Sequence, residues 1–169
     1  DTHKRAELWL RAGRLLEEGG DRDGAISRYK RALDADRNMV AAAEALRGIY
    51  ARRGDAHGAI EMLQHSIEMT EGDNKRAQLH ADLGALYRER LQDDERAEQA
   101  FNTALELDTT CTLAQVGLGQ IAFSRGEHEQ AAEHLGAVLG RLDLLPKDRA
   151  AEVCTQAGES YPALEQTDK

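Results

Sequence analysis

The chain has 169 residues, of which 41% are hydrophobic and 31% charged, with a net charge of −9 and a pI near 5.2. This is the composition of a globular domain with a core of ordinary size and a rich charged surface. It disfavours nucleic acid as a partner, because neutralising phosphates needs clustered Lys and Arg, and there is no run of about 18 apolar residues to insert in a membrane. Aromatics are only 4% and prolines 2, whereas Ala, Leu, Glu and Arg, all strong helix formers, dominate. The class is therefore all-α.

In chain order, the first element starts near Glu7 and runs to Glu18. Leu8, Trp9, Ala12, Leu15 and Leu16 fall at i, i+1, i+4, i+7 and i+8, an apolar helix face. Gly19-Gly20 stops it, and Asp21 or Asp23 caps the next helix, whose stripe is Ala25, Tyr29, Ala32 and Leu33. That helix ends over Asp34 to Asn38. A second pair follows: Ala43, Leu46, Ile49 and Tyr50, a turn at Gly54-Asp55, then Ala59, Ile60, Leu63 and Ile67. The polar stretch Thr70 to Arg76 leads to a third, with Leu79, Leu83, Gly84 and Tyr87, a glycine-free turn over Arg88 to Asp94, then Ala97, Phe101, Ala104 and Leu105. The fourth has Val116, Leu118, Gly119, Ala122 and Phe123, a turn at Gly126-Glu127, then Ala131, Leu135, Val138 and Leu139. A linker, Leu142 to Asp148, holds Pro146. One more helix carries Val153, Cys154, Ala157, Gly158 and Tyr161, and Pro162 with a polar tail closes the chain.

The small and large residues recur at a fixed offset. Trp9, Ala12, Leu16, Ala25 and Tyr29 correspond to Ala43, Leu46, Tyr50, Ala59 and Leu63, 34 residues on. A period of this size predicts stacked helix pairs, since one pair cannot bury both apolar faces alone. These residues resemble the tetratricopeptide repeat family, whose motif places a large residue at repeat position 4, Leu-Gly at 7 and 8, Tyr at 11, Ala at 20, an aromatic at 24 and Ala at 27. The third copy matches with Leu83-Gly84, Tyr87, Ala97, Phe101 and Ala104, and the fourth with Leu118-Gly119, Ala122, Ala131, Leu135 and Val138. The later copies depart at position 4 (Ala43, His80, Gln115), and Arg47 takes position 8 of the second. The resemblance implies a right-handed α-solenoid of stacked antiparallel helix pairs in a single domain over 1–169. Its repeats are expected at 6–39, 40–76, 77–111 and 112–145, and a partial fifth repeat or capping helix at 148–169. Ala157-Gly158 and Tyr161 match positions 7, 8 and 11 of that fifth unit, which points to a segment of a longer repeat protein.

No motif carries catalysis, so a non-enzymatic role without cofactor or metal is expected. His128 and His134 are six apart, about 120° around a helix, whereas zinc-binding helical pairs sit one turn apart. Asp34, Asp36 and Asn38 have the opening spacing of a calcium loop, but Met39 stands where glycine is required and Ala45 where the final Glu belongs. Cys111 and Cys154 have no metal-ligand or CxxC spacing; both read as small helix residues and favour a reducing, cytoplasmic setting. The excess of Arg over Lys suggests a bacterial source.

In the resembled family the first helices of successive repeats line a concave groove that holds peptides or partner helices, through positions 2, 5, 9, 12 and 13. Carried over residue by residue, the candidate partner-binding residues are Arg14, Arg52, Arg88, Leu113, Val116, Gln120 and Phe123. The arginines suit a carboxylate, unless they pair with Glu17, Glu44 and Glu89. Leu113, Val116 and Phe123 form an apolar pocket or pack against the fifth unit. Leu10 and Arg14 occupy the places where chaperone-binding members carry a Lys and Asn carboxylate clamp, which disfavours that partner class. The implied function is a protein-interaction scaffold or adaptor with a protein or peptide partner. The alternatives are a homo-oligomerisation module and a regulatory sensor for a neighbouring domain.

Overall fold

The computed structural model describes the backbone of residues 1–167 and the side chains of residues 1–161. Among them there are nine α-helices, one 3₁₀ segment and no strand. The chain divides into two compact units, Asp1–Glu71 and Gly72–Lys169.

The first unit holds α1 (Thr2–Glu18), α2 (Arg22–Ala35), α3 (Val40–Arg53) and α4 (Ala56–Met69). The pairs α1/α2 and α3/α4 pack within themselves, and α2 packs on α3. Asp21 caps α2, its Oδ1 accepting the Gly24 N–H at 2.9 Å, and Asp55 does the same for Gly58 at 3.0 Å in α4. Gly54 ends α3 at φ +70, a left-handed conformation that glycine adopts without steric cost. Ala25, Tyr29, Ala32, Leu46, Ile49 and Leu63 are fully buried.

Two expectations change here. The first helix begins five residues earlier, at Thr2, where the Asp1 carboxylate caps it. Its buried arc runs through Ala6 and Gly13, and Leu8 and Leu15 stand 69% and 62% exposed. Seven residues apart, they share one face. The small residues win the interior because Tyr29 lies across Gly13, so that a Cβ there would meet the ring at 2.5 Å.

The second unit holds α5 (Asp73–Leu91), α6 (Asp94–Leu107), α7 (Thr112–Arg125), α8 (His128–Gly136), the 3₁₀ segment Leu139–Leu144 and α9 (Lys147–Thr167). Phe101 of α6 is the centre of one cluster, with Ala81, Ala97, Ala104, Ala114, Leu118 and Ile121 around it. Val116, Leu135, Val138, Val153 and Ala157 form another, which ties α9 to α7 and α8.

Four boundaries differ from the sequence reading. Part of the stretch Thr70 to Arg76 is already helix, since α5 starts at Asp73. The turn expected over Arg88 to Asp94 shrinks to Gln92-Asp93, with Gln92 in the left-handed region at φ +54 and Asp93 capping α6. Leu139, expected on the second helix of the fourth pair, lies beyond it and is 40% exposed. There α8 stops at Gly136 and the chain continues as a 3₁₀ segment in which Arg141 leaves helical dihedrals at φ −134; Gly136 and Gly140 both lower helix propensity. Last, α9 runs through Pro162 to Thr167 rather than ending there. A proline lacks one N–H but does not by itself end every helix. The final two residues of the expected tail lie outside the described residues.

Candidate functional site

The first helix of each pair supplies the candidate surface. In the first unit these are α1 and α3. Arg14 projects from α1 and is exposed. Arg52 of α3 donates to the Glu17 carboxylate of α1, whose other oxygen accepts the Tyr29 hydroxyl at 2.9 Å. Burial, then this hydrogen bond, pushes the Tyr29 phenol up to about 12, so it remains a proton donor at neutral pH. Tyr29, Glu17 and Arg52 thus form one chain of polar contacts from the core to the surface. Glu17, at groove-facing repeat position 12 and a possible counter-ion by sequence, is its hub. Tyr29, at repeat position 24, was legible only as a packing residue.

In the second unit α5 and α7 carry Arg88, Leu113, Val116, Gln120 and Phe123. Arg88 Nη1 donates to Gln120 Oε1 at 2.6 Å, and its Nε lies 4.0 Å from Asp94. Gln120 is buried despite its polarity, and this bond satisfies its carbonyl. Arg149 of α9 reaches Glu89 of α5 at 2.7 Å. Arg88, Leu113, Val116, Gln120 and Arg149 therefore meet around one crevice of only about 10 Å³, room for one water at most. Of the three apolar residues, Leu113 and Val116 line this crevice, Val116 packing with Val153 and Ala157 of α9 and Leu113 on the Phe101 cluster, while Phe123 lies apart from it and meets the His128 ring edge-on at 6.4 Å. His134 contacts Gln115 at 2.8 Å, and Asp36 accepts the Asn38 N–H and meets His3 at 2.7 Å. Among the described residues no three His, Cys, Asp or Glu side chains gather as a metal site.

A larger hollow, of about 450 Å³, lies on the second helices of the first unit. Leu33 and Met62 floor it, and Lys30, Arg37, Glu61 and His65 rim it. His65 Nε2 lies 2.7 Å from the Arg37 carbonyl. No periodicity points to it, because Lys30, Glu61 and His65 come from two different helices and Arg37 from the turn after α2.

Stacked antiparallel helix pairs, small residues at the close approaches and charged residues between them define a helical-repeat protein. Residues 8–39 and 77–111 each match a model of the tetratricopeptide repeat. Together with the helix-pair architecture, these matches support the tetratricopeptide repeat family. It resembles the crystal structure of MamA protein at 25% identity and a TM-score of 0.63, covering 96% of this chain and 95% of that one. It is also similar to YrrB, described as a TPR protein with an unusual peptide-binding site (19% identity, TM-score 0.57, 95% and 91% covered), and to BtubC from P. vanneervenii (19%, 0.63, 97% and 74%). No curated protein matches the chain significantly. The repeats make this a protein-protein interaction scaffold.

Proposed function

We propose that the chain binds a peptide or helix along the first-helix faces of its units, and that it does so without catalysis. One observation carries the reading: charged side chains on first helices are held by the neighbouring first helix, Arg52 by Glu17 and Arg88 by Gln120. A side chain already fixed loses less freedom when a ligand binds. The guanidinium groups retain N–H donors beyond these bonds, and a carboxylate on a partner suits their planar fork. The peptide-binding site ascribed to YrrB supports the same partner class.

The test is selection of peptides from a phage-displayed library on the wild-type chain, followed by calorimetry with variants. Arg52→Ala, for ligands of the first unit, and Phe123→Ala, for those of the second, are expected to weaken the selected peptide about tenfold, or about 1.4 kcal/mol. Lys30→Ala, on the second helices, is expected to leave it unchanged. If Arg52→Ala and Phe123→Ala both bind every selected peptide as the wild type does, the reading is wrong.

A further inference from the structure

Val116 and Gln120 hold groove-facing positions of α7, yet they are 1% and 6% exposed. The inner stripe of α9 covers that face. Val153 and Ala157, one turn apart on α9, cluster with Val116. Arg149 lies on the same stripe one turn earlier and reaches past α7 to α5, where its Nη2 donates to Glu89 Oε1 at 2.7 Å. Its side chain walls the crevice formed by Ala85, Arg88, Val116 and Gln120, where only about 10 Å³ is left. No ligand side chain enters that space while Arg149 stays in place.

Beside the crevice the surface opens into a hollow of about 420 Å³, which shares Arg88 and Glu89 with it and adds Gln92, Asp94 and Ser124. The hollow lies at the C-terminal ends of α5 and α7, with Gln92 capping one and Ser124 in the last turn of the other. Helix C-termini carry negative partial charge. Arg88 is engaged with Gln120 and faces Asp94. Among the described residues Arg149 is the one cation paired with Glu89. Without it, two carboxylates and two helix C-termini would face a single guanidinium, an environment that suits a second cation.

We infer that the first turn of α9 occupies the second unit's groove in cis, with Arg149 holding the place of a basic side chain that a partner peptide brings to Glu89. This rests on the peptide-binding reading and adds to it the partner's chemistry in this unit and a competitor within the chain. Displacement needs only the first turn of α9 to move. Leu145, two residues before that helix, is extended, and helix ends fray, so Val153 and Ala157 keep their seats.

The test is selection from a phage-displayed random peptide library on the whole Arg149→Ala chain, followed by calorimetry of each peptide. Peptides weakened by Phe123→Ala are those of the second unit. They are expected to carry Arg or Lys and to bind Arg149→Ala about two- to fivefold more tightly than wild type, the scale of an exposed ion pair. Adding Glu89→Gln is expected to remove that gain. Lys147→Ala takes the same charge from the same turn, at an exposed position about 160° around the helix from Arg149, and is expected to bind as wild type does. Second-unit peptides that bind wild type and Arg149→Ala alike, that lack Arg and Lys, that keep the gain with Glu89→Gln, or that gain as much from Lys147→Ala overturn the inference and leave the peptide-binding reading standing. If no selected peptide depends on Phe123, the inference falls as well, and the peptide-binding reading is then decided by Arg52→Ala in the first unit.

Discussion

Phe101 shows how single residues set the packing. Its ring lies between Gly84 of α5 and Gly117 of α7; a Cβ on Gly84 would meet it at 2.7 Å, and one on Gly117 would be closer still. A methyl group at either place forces a buried aromatic to move, and overpacking of this kind costs about 1–3 kcal/mol. Gly84→Ala and Gly117→Ala are each expected to lower the urea midpoint accordingly, while Gly158→Ala, in open space, does not. Gly84 was legible as a motif position. Gly117 was not, because its partner ring belongs to the preceding repeat and no helical spacing links the two. The same blindness hid Leu8 and Leu15: periodicity finds an apolar face but does not say which arc a neighbour covers. His80 gives a pH signal. Burial first, then the nearby Arg76 charge, lowers its pKa below the usual 6.5. The unfolded chain therefore binds a proton at a higher pH than the folded one, so stability is full above about pH 6.5 and falls as pH drops through the folded value. Thermal unfolding of His80→Gln from pH 7.5 to 5.5 is expected to show a shallower acid slope than the wild type.

At the scale of elements, capping chemistry was the most readable feature. Asp21 and Asp55 lie where a short carboxylate precedes a helix, and the structure uses both. The turn between α5 and α6 was less so. Gln92 occupies the left-handed conformation that Gly54 and Gly126 provide in other turns, and a non-glycine residue there costs about 1–2 kcal/mol. Because no glycine marks the stop, sequence reasoning opened the turn several residues early. Gln92→Gly is expected to stabilise the chain by about 1 kcal/mol, read as a raised midpoint in denaturant; a lowered midpoint would show that the Gln92 backbone carries no strain. The early end of α8 was equally hidden. Its apolar spacing continues through Val138 and Leu139, yet Gly136 and Gly140 let the backbone tighten into a 3₁₀ segment.

For the molecule as a whole, the repeated residues explain stability and leave function to the positions between them. The helix-pair architecture and the family resemblance were readable because packing residues recur at close to 34 residues, with a few extra residues in the polar stretch after the second pair and one in the turn of the third. The site was readable only as a set of positions. Which groups pair, as in Glu17 with Arg52 and Arg88 with Gln120, depends on long side chains meeting across helices, and no periodicity encodes that. The central claim is that partners are taken on first helices rather than second ones. Hydrogen exchange with a selected peptide bound tests it most directly. Slower exchange in α1 and α3, or in α5 and α7, with α2, α4 and α6 unchanged, is the predicted result; protection confined to α2 and α4, around the Lys30 and His65 hollow, would contradict it.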